Sequence, residues 1–304
     1  MVGRVRAYVT GASGFVGCWL TAHLAANGDE VIGTGEEVDV TDPDAIARSV
    51  AESAPDVLYH LAGFAHVGRS WREPAVTFRV NALGSLNVLE AAAGCESPPR
   101  VILVSSGEVY GQAPGHEPLP ESAELRPLSP YAASKVAAEF VGIQEWLGRG
   151  LPVVRVRPFN HAGPGQSADF VVSGLARRIV EAETAGGGVV RVGNLEARRD
   201  FTDVRDVVRA YRLLAEKGEP GEVYNVAGGR VTTISEVAML LCELARVDVQ
   251  LETDPALVRP VEVPVLIGDA THLKAATGWS PQIPFEKTLA DVLESWRTAL
   301  GVPA

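Results

Sequence analysis

The sequence predicts an α/β fold in which a doubly wound parallel sheet carries a smaller α/β lobe. Short apolar strands alternate with longer helical patterns through the first half of the chain. A glycine-rich turn joins the first strand to the first helix, and after about residue 160 loops rich in Gly, Pro and Asn interrupt the alternation. Apolar strands connected by helices are typical of parallel sheets with right-handed crossovers and both faces covered.

The elements of the predicted sheet follow one another without a repeat or a low-complexity tract. Two helices carry clear start signals, because Asp42 precedes Pro43 and Ser129 precedes Pro130. A polar cap followed by proline at the first helical position is a common way to begin a helix. The predicted elements are strand 5–10, helix 15–28, strand 30–34, helix 42–54, strand 56–63, helix 73–94, strand 100–106, helix 130–148 and strand 151–160.

The second half predicts a smaller lobe whose chain partly returns to the first sheet. Helices are expected at about 168–182, 203–217 and 233–245, with an apolar strand at 222–229 and an amphipathic helix at 284–300. The first domain is therefore expected to comprise 1–158 plus about 200–228. The second is expected to comprise about 159–199 and 229–304.

Composition narrows the classes of function. The 304 residues are 46% hydrophobic and 21% charged, and the formal net charge of −11 disfavours nonspecific binding to nucleic acid or to an anionic membrane. Cys18, Cys95 and Cys242 lie far apart, and the six histidines show no paired-ligand spacing, so neither a disulfide framework nor a metal site is expected. No apolar run approaches the ~18 residues of a membrane span, and the N-terminus resembles no signal peptide, so cytoplasmic localisation is expected.

The turn after the first strand is suited to bind a dinucleotide. The stretch "VTGASGFVG" places Gly11, Gly14 and Gly17 between a strand and a helix. Backbone that approaches a pyrophosphate closely cannot carry Cβ atoms, and the helix N-terminus supplies N–H donors. The spacing is G-x-x-G-x-x-G instead of the usual G-x-G-x-x-G, and a glycine-rich turn without a ligand is the alternative. We predict a Rossmann-type sheet that binds NAD or NADP.

The end of the second strand favours NAD over NADP. Gly35, Glu36 and Glu37 follow Thr34, and no arginine is present there to hold a 2′-phosphate. A glutamate repels that phosphate and accepts a hydrogen bond from a free 2′-hydroxyl. Asp39 follows almost at once and is a candidate to meet the adenine edge.

A second set of polar residues is predicted to share the crevice beyond the strand ends. Tyr131 and Lys135 lie one turn apart on one helix face, and Ser105, Ser106 and Glu108 follow the preceding strand. Ligands of such sheets bind beyond the carboxyl ends of the strands. A proton donor beside a cation is the functional interpretation; a buried aromatic beside a surface lysine is the structural one.

Seven stretches follow one another along nearly the whole chain, namely "TGASGFVG", "HLAG" (60–63), "SSGEVYG" (105–111), "YAASK" (131–135), "RPFNHAGPGQ" (157–166), "RRDFTDVRDVV" (198–208) and "RPVEVPVLIGD" (259–269). Together they resemble the extended short-chain dehydrogenases/reductases that modify nucleotide sugars, the NAD-dependent epimerase/dehydratase family. The segments "VGNLEARRDFTDVRD" and "RPVEVP" are most similar to its GDP-sugar branch, namely GDP-4-keto-6-deoxy-mannose reductase and GDP-mannose 4,6-dehydratase.

The resemblance implies catalytic roles for four residues. Tyr131 would exchange a proton with a sugar oxygen, Ser106 would hydrogen-bond that oxygen, and Lys135 would favour the phenolate and hold the nicotinamide ribose. Glu108 matches the carboxylate that some dehydratases retain, although a solvated loop position is the alternative. The implied cofactor-binding residues are Gly11, Ser13, Gly14, Phe15, Val16, Gly17, Asp39, Val40, Leu61, Ala62, Gly63, Tyr131 and Lys135.

On the substrate side, the resemblance implies that Arg199 and Arg259 contact the diphosphate; ion pairs with Asp200 and Glu262 are the alternative. Asn160 would contact the sugar or the pyrophosphate, and Glu262 the ribose hydroxyls. The remaining candidates are Asn194 and Arg198 near the base and His66, with Ser70, at the hexose. Helices 74–94 and 130–148 would form the interface of a homodimer, or would be buried between the sheet and the second lobe.

Three reactions use hydride transfer between the nicotinamide and C4 of the sugar. They are reduction of a 4-keto sugar, 4-epimerisation and 4,6-dehydration. GDP-mannose dehydratases are longer and carry an arginine-bearing segment after the second strand, and this chain has neither feature. Reduction of GDP-4-keto-6-deoxy-mannose is therefore favoured, with a dehydratase or epimerase as the alternative and a non-catalytic dinucleotide sensor as a more distant one. The reductases often use NADPH, which conflicts with the acidic ribose loop.

Overall fold

A computed structural model describes residues 5–112, 115, 117–257 and 263–302. The first lobe is built on a six-stranded sheet whose neighbouring strands are all parallel, in the order β2-β1-β3-β4-β5-β9. The order reverses beside β1, which opens a crevice at the carboxyl ends of the strands. The strands are β1 (Arg6–Thr10), β2 (Glu30–Thr34), β3 (Val57–His60), β4 (Arg100–Val104), β5 (Val153–Pro158) and β9 (Val223–Val226).

Helices cover both faces of this sheet, as the predicted doubly wound fold requires. One face packs against α1, α8 and α10, and the other against α2, α5 and α6. Two short helices, α3 and α4, precede α5. The helices are α1 (Phe15–Ala26), α2 (Pro43–Ser53), α3 (Val67–Ser70), α4 (Pro74–Phe78), α5 (Gly84–Ala93), α6 (Pro130–Arg149), α8 (Val204–Lys217) and α10 (Thr271–Thr277).

The sequence predicts one regular helix over 73–94, and the structure differs there. A π-helical turn at Arg79–Leu83 separates α4 from α5. The turn carries Asn81, whose side-chain oxygen accepts from the N–H of Phe64 at 2.7 Å, while its Nδ2 donates to Ser134 Oγ at 2.9 Å. The widened turn thus ties the loop after β3 to α6, which is typical of π-turns at functional sites.

The second lobe has its own apolar core among α7, α9, α11 and two small sheets. In one sheet β8 lies between β10 and β12 and also pairs with β6; in the other β7 pairs with β11. The elements are β6 (Asn160–Ala162), α7 (Val171–Thr184), β7 (Gly188–Val192), β8 (Arg198–Asp203), β10 (Val231–Thr233), α9 (Ile234–Glu243), β11 (Val249–Thr253), β12 (Val265–Leu266) and α11 (Phe285–Ala299).

The chain crosses between the lobes several times. After β8 it returns to the first sheet through α8 and β9, then leaves again. Leu273 of α10 and Trp279, which the sequence assigns to the second lobe, pack in the core of the first. The Trp279 Nε1 donates to the backbone oxygen of Asp206 at 2.9 Å. The two-domain division remains a proposal, and within the described residues no helix is long and apolar enough to cross a membrane.

Candidate active site

A cavity of about 680 Å³ lies where the two lobes meet, at the carboxyl ends of the central strands. Its walls come from the turn after β1, the loops after β3, β4 and β5, the start of α6, and α7 and β8 of the second lobe. The described residues contain no group of three or more His, Cys, Asp or Glu side chains arranged to hold a metal ion.

The glycine turn forms a cradle that a Cβ would fill. Gly11 has φ +71°, and a Cβ there would lie 2.8 Å from the backbone nitrogen of Ala62. A Cβ on Gly17 would lie 2.1 Å from the Gly11 oxygen, so α1 packs directly on the turn. Gly14 caps α1 without a side chain and faces the cavity. Because this backbone and helix terminus suit a pyrophosphate, the residues present fit a dinucleotide.

Two carboxylates near the end of β2 are held by backbone N–H groups. The Glu37 Oε1 accepts from Gly35 at 2.6 Å, and these backbone hydrogen bonds lower the pKa of the Glu37 carboxyl. The Asp39 Oδ1 accepts from Thr41 at 2.8 Å. A charged Glu37 therefore lies beside the turn that would receive the adenosine ribose.

The start of α6 places Tyr131 and Lys135 together on the cavity wall. Ser129 caps the helix by accepting from the Ala132 N–H at 3.1 Å, which fixes the first turn. Each of the two side chains is only 8% exposed. The Lys135 Nζ donates to the backbone oxygen of Val104 at the end of β4, 2.9 Å away. The lysine thus crosses the crevice between α6 and the sheet.

The protonation states of this pair differ from the expectation of a tyrosine acidified by its lysine. Burial raises the pKa of Tyr131 to about 12, hydrogen bonding with Ser106 offsets part of the rise, and the Glu108 carboxylate adds to it. Burial lowers the pKa of Lys135 to about 8, and the Glu139 carboxylate opposes that shift. For Lys135 desolvation outweighs the neighbouring Glu139 charge, whereas for Tyr131 desolvation and the Glu108 charge act in the same direction. In the protein alone, Tyr131 is a neutral phenol at neutral pH.

A buried ion pair anchors the elements behind these residues. Arg157 of β5 donates from Nε and Nη2 to the two carboxylate oxygens of Glu139, at 2.9 and 2.6 Å. The Ser105 Oγ donates to the same carboxylate at 2.5 Å, and Arg157 Nη1 donates to the Tyr110 hydroxyl at 2.8 Å. Glu139 lies one turn after Lys135 on α6. The network therefore ties the Tyr–Lys helix to β4 and β5.

Ser106 and Glu108 follow β4 in a short 3-10 turn, Gly107–Tyr110. The Ser106 Oγ accepts from the Glu108 N–H at 3.2 Å, and both residues lie on the cavity wall. Gly107 leaves room for Phe159, whose ring would lie about 3.1 Å from a Cβ there. The two polar side chains are thus presented toward the same space as Tyr131.

His66 lies on the wall and begins α3. Its Nδ1 accepts from the Arg69 N–H at 2.9 Å, and because a backbone N–H can only donate, the neutral ring carries its proton on Nε2. Its ring centroid is 6.2 Å from that of Phe170. Ser70, by contrast, donates to the Val67 oxygen at 2.6 Å and is buried. Of these two residues, His66 is the one that offers a donor to a ligand.

The second lobe contributes Asn160, Asn194 and Arg199 to the wall. The Asn160 Oδ1 is shielded from solvent and has no hydrogen-bond partner among the described residues. The Arg199 Nη1 donates to the Arg198 oxygen at 2.9 Å. Both oxygens of Asp200 accept from backbone, namely the N–H groups of Gly228 and Gly229 at 2.7 and 2.9 Å.

Most of the predicted site residues converge on this one cavity. Arg259 and Glu262 lie outside the described residues. Of the described candidates, Ser13, Asp39, Val40, Ala62 and Arg198 flank the cavity without lining it. Those that line it are Gly11, Gly14, Phe15, Val16, Gly17, Leu61, Gly63, His66, Ser106, Glu108, Tyr131, Lys135, Asn160, Asn194 and Arg199.

Three residues on the wall were missed in the sequence. His161 stacks on Phe15 with ring centroids 6.2 Å apart, and its Nδ1 donates to the Phe159 oxygen. Gln166 donates to the His161 oxygen at 2.9 Å. Arg178 projects from α7. The stretch "NHAGPGQ" predicted a loop and, through the family resemblance, a role for Asn160 alone. Arg178 was detectable as a cation on the otherwise apolar face of an amphipathic helix.

Comparisons with known proteins agree with this geometry. The family model of GDP-mannose 4,6 dehydratase matches residues 34–292. The chain is 38% identical over 297 residues to GDP-6-deoxy-D-mannose reductase of Pseudomonas aeruginosa, covering 96% of this chain and 97% of that protein. It is 27% identical to GDP-mannose 4,6-dehydratase of Yersinia enterocolitica, over 84% of this chain and 76% of that one.

Solved structures superpose on nearly the whole chain. RMD from Pseudomonas aeruginosa, complexed with NADPH, matches with a TM-score of 0.90 and 37% identity, covering 97% of this chain and 99% of that one. UDP-glucose 4-epimerase from Thermotoga maritima, with UDP-glucose, matches with a TM-score of 0.89 and 31% identity over the same shares. The cavity thus lies in a fold in which relatives bind nicotinamide cofactors and nucleotide sugars.

Proposed function

Because this chain belongs to the GDP-mannose 4,6-dehydratase family of extended short-chain dehydrogenases/reductases, we propose that it reduces a GDP-4-keto-6-deoxyhexose at C4. The substrate we propose is GDP-4-keto-6-deoxy-mannose, and the cofactor is NADH or NADPH. The resemblance to a reductase extends over nearly the full length of both chains. The dehydratase relatives of Yersinia enterocolitica and Vibrio cholerae are less similar, at 27% and 26% identity.

The similarity to a GDP-6-deoxy-D-mannose reductase over nearly the full length of both chains is the observation that carries this proposal. Reduction of a ketone needs a proton donor at the carbonyl oxygen. Burial raises the pKa of Tyr131 to about 12, so its hydroxyl is protonated at neutral pH in the protein alone. Tyr131 is therefore in the form that can donate this proton.

Each residue at the reacting end has a distinct task. When bound, the reduced nicotinamide cofactor supplies the hydride. The Tyr131 hydroxyl donates its proton to the C4 oxygen, and Ser106 hydrogen-bonds the same oxygen. Lys135, charged below about pH 8, holds the cofactor ribose and stabilises the phenolate left after proton transfer.

The substrate side follows from the wall residues. We assign the hexose to His66 and Asn160, because the first presents an Nε2–H donor and the second an unpartnered acceptor. Arg199 contacts the diphosphate, since a guanidinium fork suits phosphate oxygens, and Asn194 lies toward the base. Arg259 and Glu262 remain predictions from the sequence.

The cofactor assignment includes a preference for NADH. Glu37 and Ser13 both lie against Gly35, where a Cβ would be 2.9 Å from Glu37 Oε2 and 2.6 Å from Ser13 Oγ. A carboxylate at this position repels a 2′-phosphate and can accept from a 2′-hydroxyl. The relative from Pseudomonas aeruginosa was solved with NADPH, so the affinities of this protein for NADH and NADPH should be compared directly.

A homodimer is part of the proposal. Several large apolar side chains on α4, the π-turn and α6 are at least 40% exposed, and Leu147 reaches 76%. Pairing these helices with a second copy would cover them. They are Val76, Phe78, Leu83, Phe140 and Leu147. Light scattering should give the mass of two chains, and Phe140→Glu should shift it to one; a single-chain mass for the wild type would contradict the proposal.

We also propose a cytoplasmic location. Cys18, Cys95 and Cys242 are unpaired, as expected in a reducing compartment. Cell fractionation would test this, and recovery outside the cytoplasm would contradict it.

The experiment that tests the reaction mixes the protein with GDP-4-keto-6-deoxy-mannose and NADH or NADPH. We expect the absorbance of the reduced cofactor to fall as the keto sugar is consumed. A 4,6-dehydratase is the second candidate, because Glu108 lies on the same wall as Tyr131. It would instead convert GDP-mannose without net oxidation of the cofactor. A sensor would bind the cofactor and turn over neither sugar.

A further inference from the structure

One face of α7 lines the cavity and ends in a cation. Val171, Gly174, Leu175 and Arg178 follow the spacing of a single helix face, and all four lie on the wall. The first three positions are apolar or lack a side chain. Arg178 is therefore the only ionisable group of this helix that the wall includes among the described residues.

Arg178 forms no ion pair with a side chain in the described part of the chain. Its Nε is shielded from solvent and has no hydrogen-bond partner there, and no described carboxylate forms an ion pair with it. Burial lowers the pKa of the guanidinium, and the Glu181 carboxylate offsets part of that shift. Arg178 is half-buried, and the Nε is the part of its guanidinium that is shielded from water. Because buried N–H groups are normally hydrogen-bonded, this position is suited to an acceptor supplied from outside the protein, and an anion fits the charge.

The location of the guanidinium indicates which part of a ligand it would meet. The Arg178 Nη2 is 3.8 Å from the place where a Cβ of Gly174 would be, so the side chain lies back over the preceding turn. That turn is about 5 Å along the helix from Val171. Val171 directly follows Phe170, the neighbour of His66. Along α7, the Arg178 guanidinium therefore lies about one helical turn beyond the part of the cavity assigned to the hexose.

We propose that Arg178 binds the diphosphate of the nucleotide sugar, together with Arg199 of β8. This inference deepens the proposed function and depends on its assignment of a nucleotide sugar to the cavity. In a nucleotide sugar the diphosphate is the next group after the hexose. Its negative charge would pair with the positive guanidinium of Arg178. The planar fork of N–H donors matches phosphate oxygens in geometry.

The neighbouring Arg177 provides a matched control on the same helix. Its Nε is 2.8 Å from Glu181 Oε1, and its guanidinium lies over the ring of Trp296. It is exposed and does not line the cavity. Loss of charge at Arg177 therefore changes the net charge of the protein by the same amount without changing the proposed site.

The test is calorimetric binding of GDP, GMP and guanosine to the wild type, Arg178→Gln, Arg178→Lys and Arg177→Gln. We expect Arg178→Gln to weaken GDP binding by about 10- to 100-fold, the range for a lost charge-assisted hydrogen bond. GMP should lose less, because it lacks the second phosphate. Arg178→Lys should lose an intermediate amount, and Arg177→Gln should bind both nucleotides as the wild type does.

The contrary outcomes are distinct. Unchanged GDP binding by Arg178→Gln would overturn the inference, and so would equal losses for GDP, GMP and guanosine, which would assign Arg178 to the base or ribose. Thermal unfolding without ligand checks that the variants fold. If Arg178→Gln does not fold, Arg178→Lys takes its place in the test. A lysine variant that binds GDP as tightly as the wild type, and whose GDP affinity falls with added salt as steeply as that of the wild type, would count against a bidentate phosphate contact.

Failure of the proposed function gives a different result. If the wild type binds UDP or dTDP and not GDP, the GDP-sugar assignment is wrong. The Arg178 test then runs with that nucleoside diphosphate and its monophosphate, and a larger loss for the diphosphate still supports the inference. If the wild type binds no nucleoside diphosphate, both proposals are wrong.

Discussion

The two ends of the cavity are built differently. At the reacting end, Tyr131 and Lys135 are nearly buried, and the Glu139–Arg157 ion pair fixes their helix against the sheet. At the other end, where the hexose and the diphosphate would be held, Asn160 and Arg178 each have a shielded polar atom without a partner in the described residues. The first end is organised without ligand, whereas the second holds polar groups that a ligand would satisfy. We infer that substitutions at the first end mainly change the rate, and those at the second mainly change affinity.

Replacement of Tyr131 by Phe should have the largest effect. Turnover should fall by about 10²- to 10⁴-fold, the usual contribution of a positioned proton donor. Cofactor affinity should remain close to that of the wild type, because the aromatic ring is kept. Steady-state rates and a cofactor titration measure both quantities. A variant that retains full turnover would show that another group donates the proton.

Two glycines of the turn should respond differently to substitution, one through cofactor affinity and the other through stability. A Cβ on Gly14 would meet only the Gly11 oxygen, at 3.2 Å, so Gly14→Ala should fold normally and lose cofactor affinity by about 10- to 100-fold. A Cβ on Gly17 would lie 2.1 Å from that oxygen, so Gly17→Ala should lose about 1–3 kcal/mol of unfolding free energy. Thermal unfolding with and without cofactor separates the two. Equal behaviour of the variants would contradict this assignment of the turn.

The pH dependence tests the protonation states at the reacting end. Lys135 has its pKa lowered to about 8, so it loses its positive charge as pH rises through that value. The ratio kcat/KM for the keto sugar should therefore fall above about pH 8, while Tyr131 remains protonated. Lys135→Met should reduce kcat/KM by roughly 10- to 100-fold and abolish this fall. A profile that rises above pH 8 would indicate a basic phenolate and favour the epimerase or dehydratase.

Glu37 should affect the choice of cofactor without affecting the chemistry. Glu37→Gln removes a charge near the expected 2′-phosphate and should favour NADPH over NADH by roughly 2- to 5-fold relative to the wild type. Glu36→Gln, next to it, is the control with the same change in charge. Affinities of both cofactors measured by fluorescence provide the comparison. If both variants change the ratio equally, the effect is one of net charge.

The smallest effect is expected at Glu108. A reductase needs no second acid or base at C5 and C6, so Glu108→Gln should change keto-sugar reduction by less than about 3-fold, as for many substitutions outside the chemical step. A dehydratase should lose most of its activity, because proton transfer there contributes about 10²- to 10⁴-fold. The rates with keto sugar and with GDP-mannose distinguish the two.

The same contrast explains how much could be predicted from the sequence. The strands of the first sheet, the glycine turn and the Tyr131–Lys135 pair follow from local patterns, and the structure has them in those places. The π-turn at Arg79–Leu83 has no local signal, because its stability depends on Asn81 bonding to Phe64. Likewise Trp279 joins the first core through a contact with Asp206, far away in sequence.

The burial of Tyr131 and Lys135 could not be predicted from the sequence. Spacing on a helix shows that Lys135 is near, and the sequence therefore suggests an acidified phenol. It does not show how deeply both groups are buried, and burial sets the direction of both pKa shifts. Arg178 could not be predicted for a related reason, because its unpartnered Nε results from the packing of α7 in the folded protein.

The fate of a deuteride tests the central claim most directly. Cofactor carrying deuterium in the transferable position of its nicotinamide is mixed with GDP-4-keto-6-deoxy-mannose, and the product is analysed by NMR. We predict deuterium at C4 of the sugar, with one cofactor molecule oxidised per product formed. A product without deuterium, or deuterium at C6, would contradict the assignment of this protein as a C4 reductase.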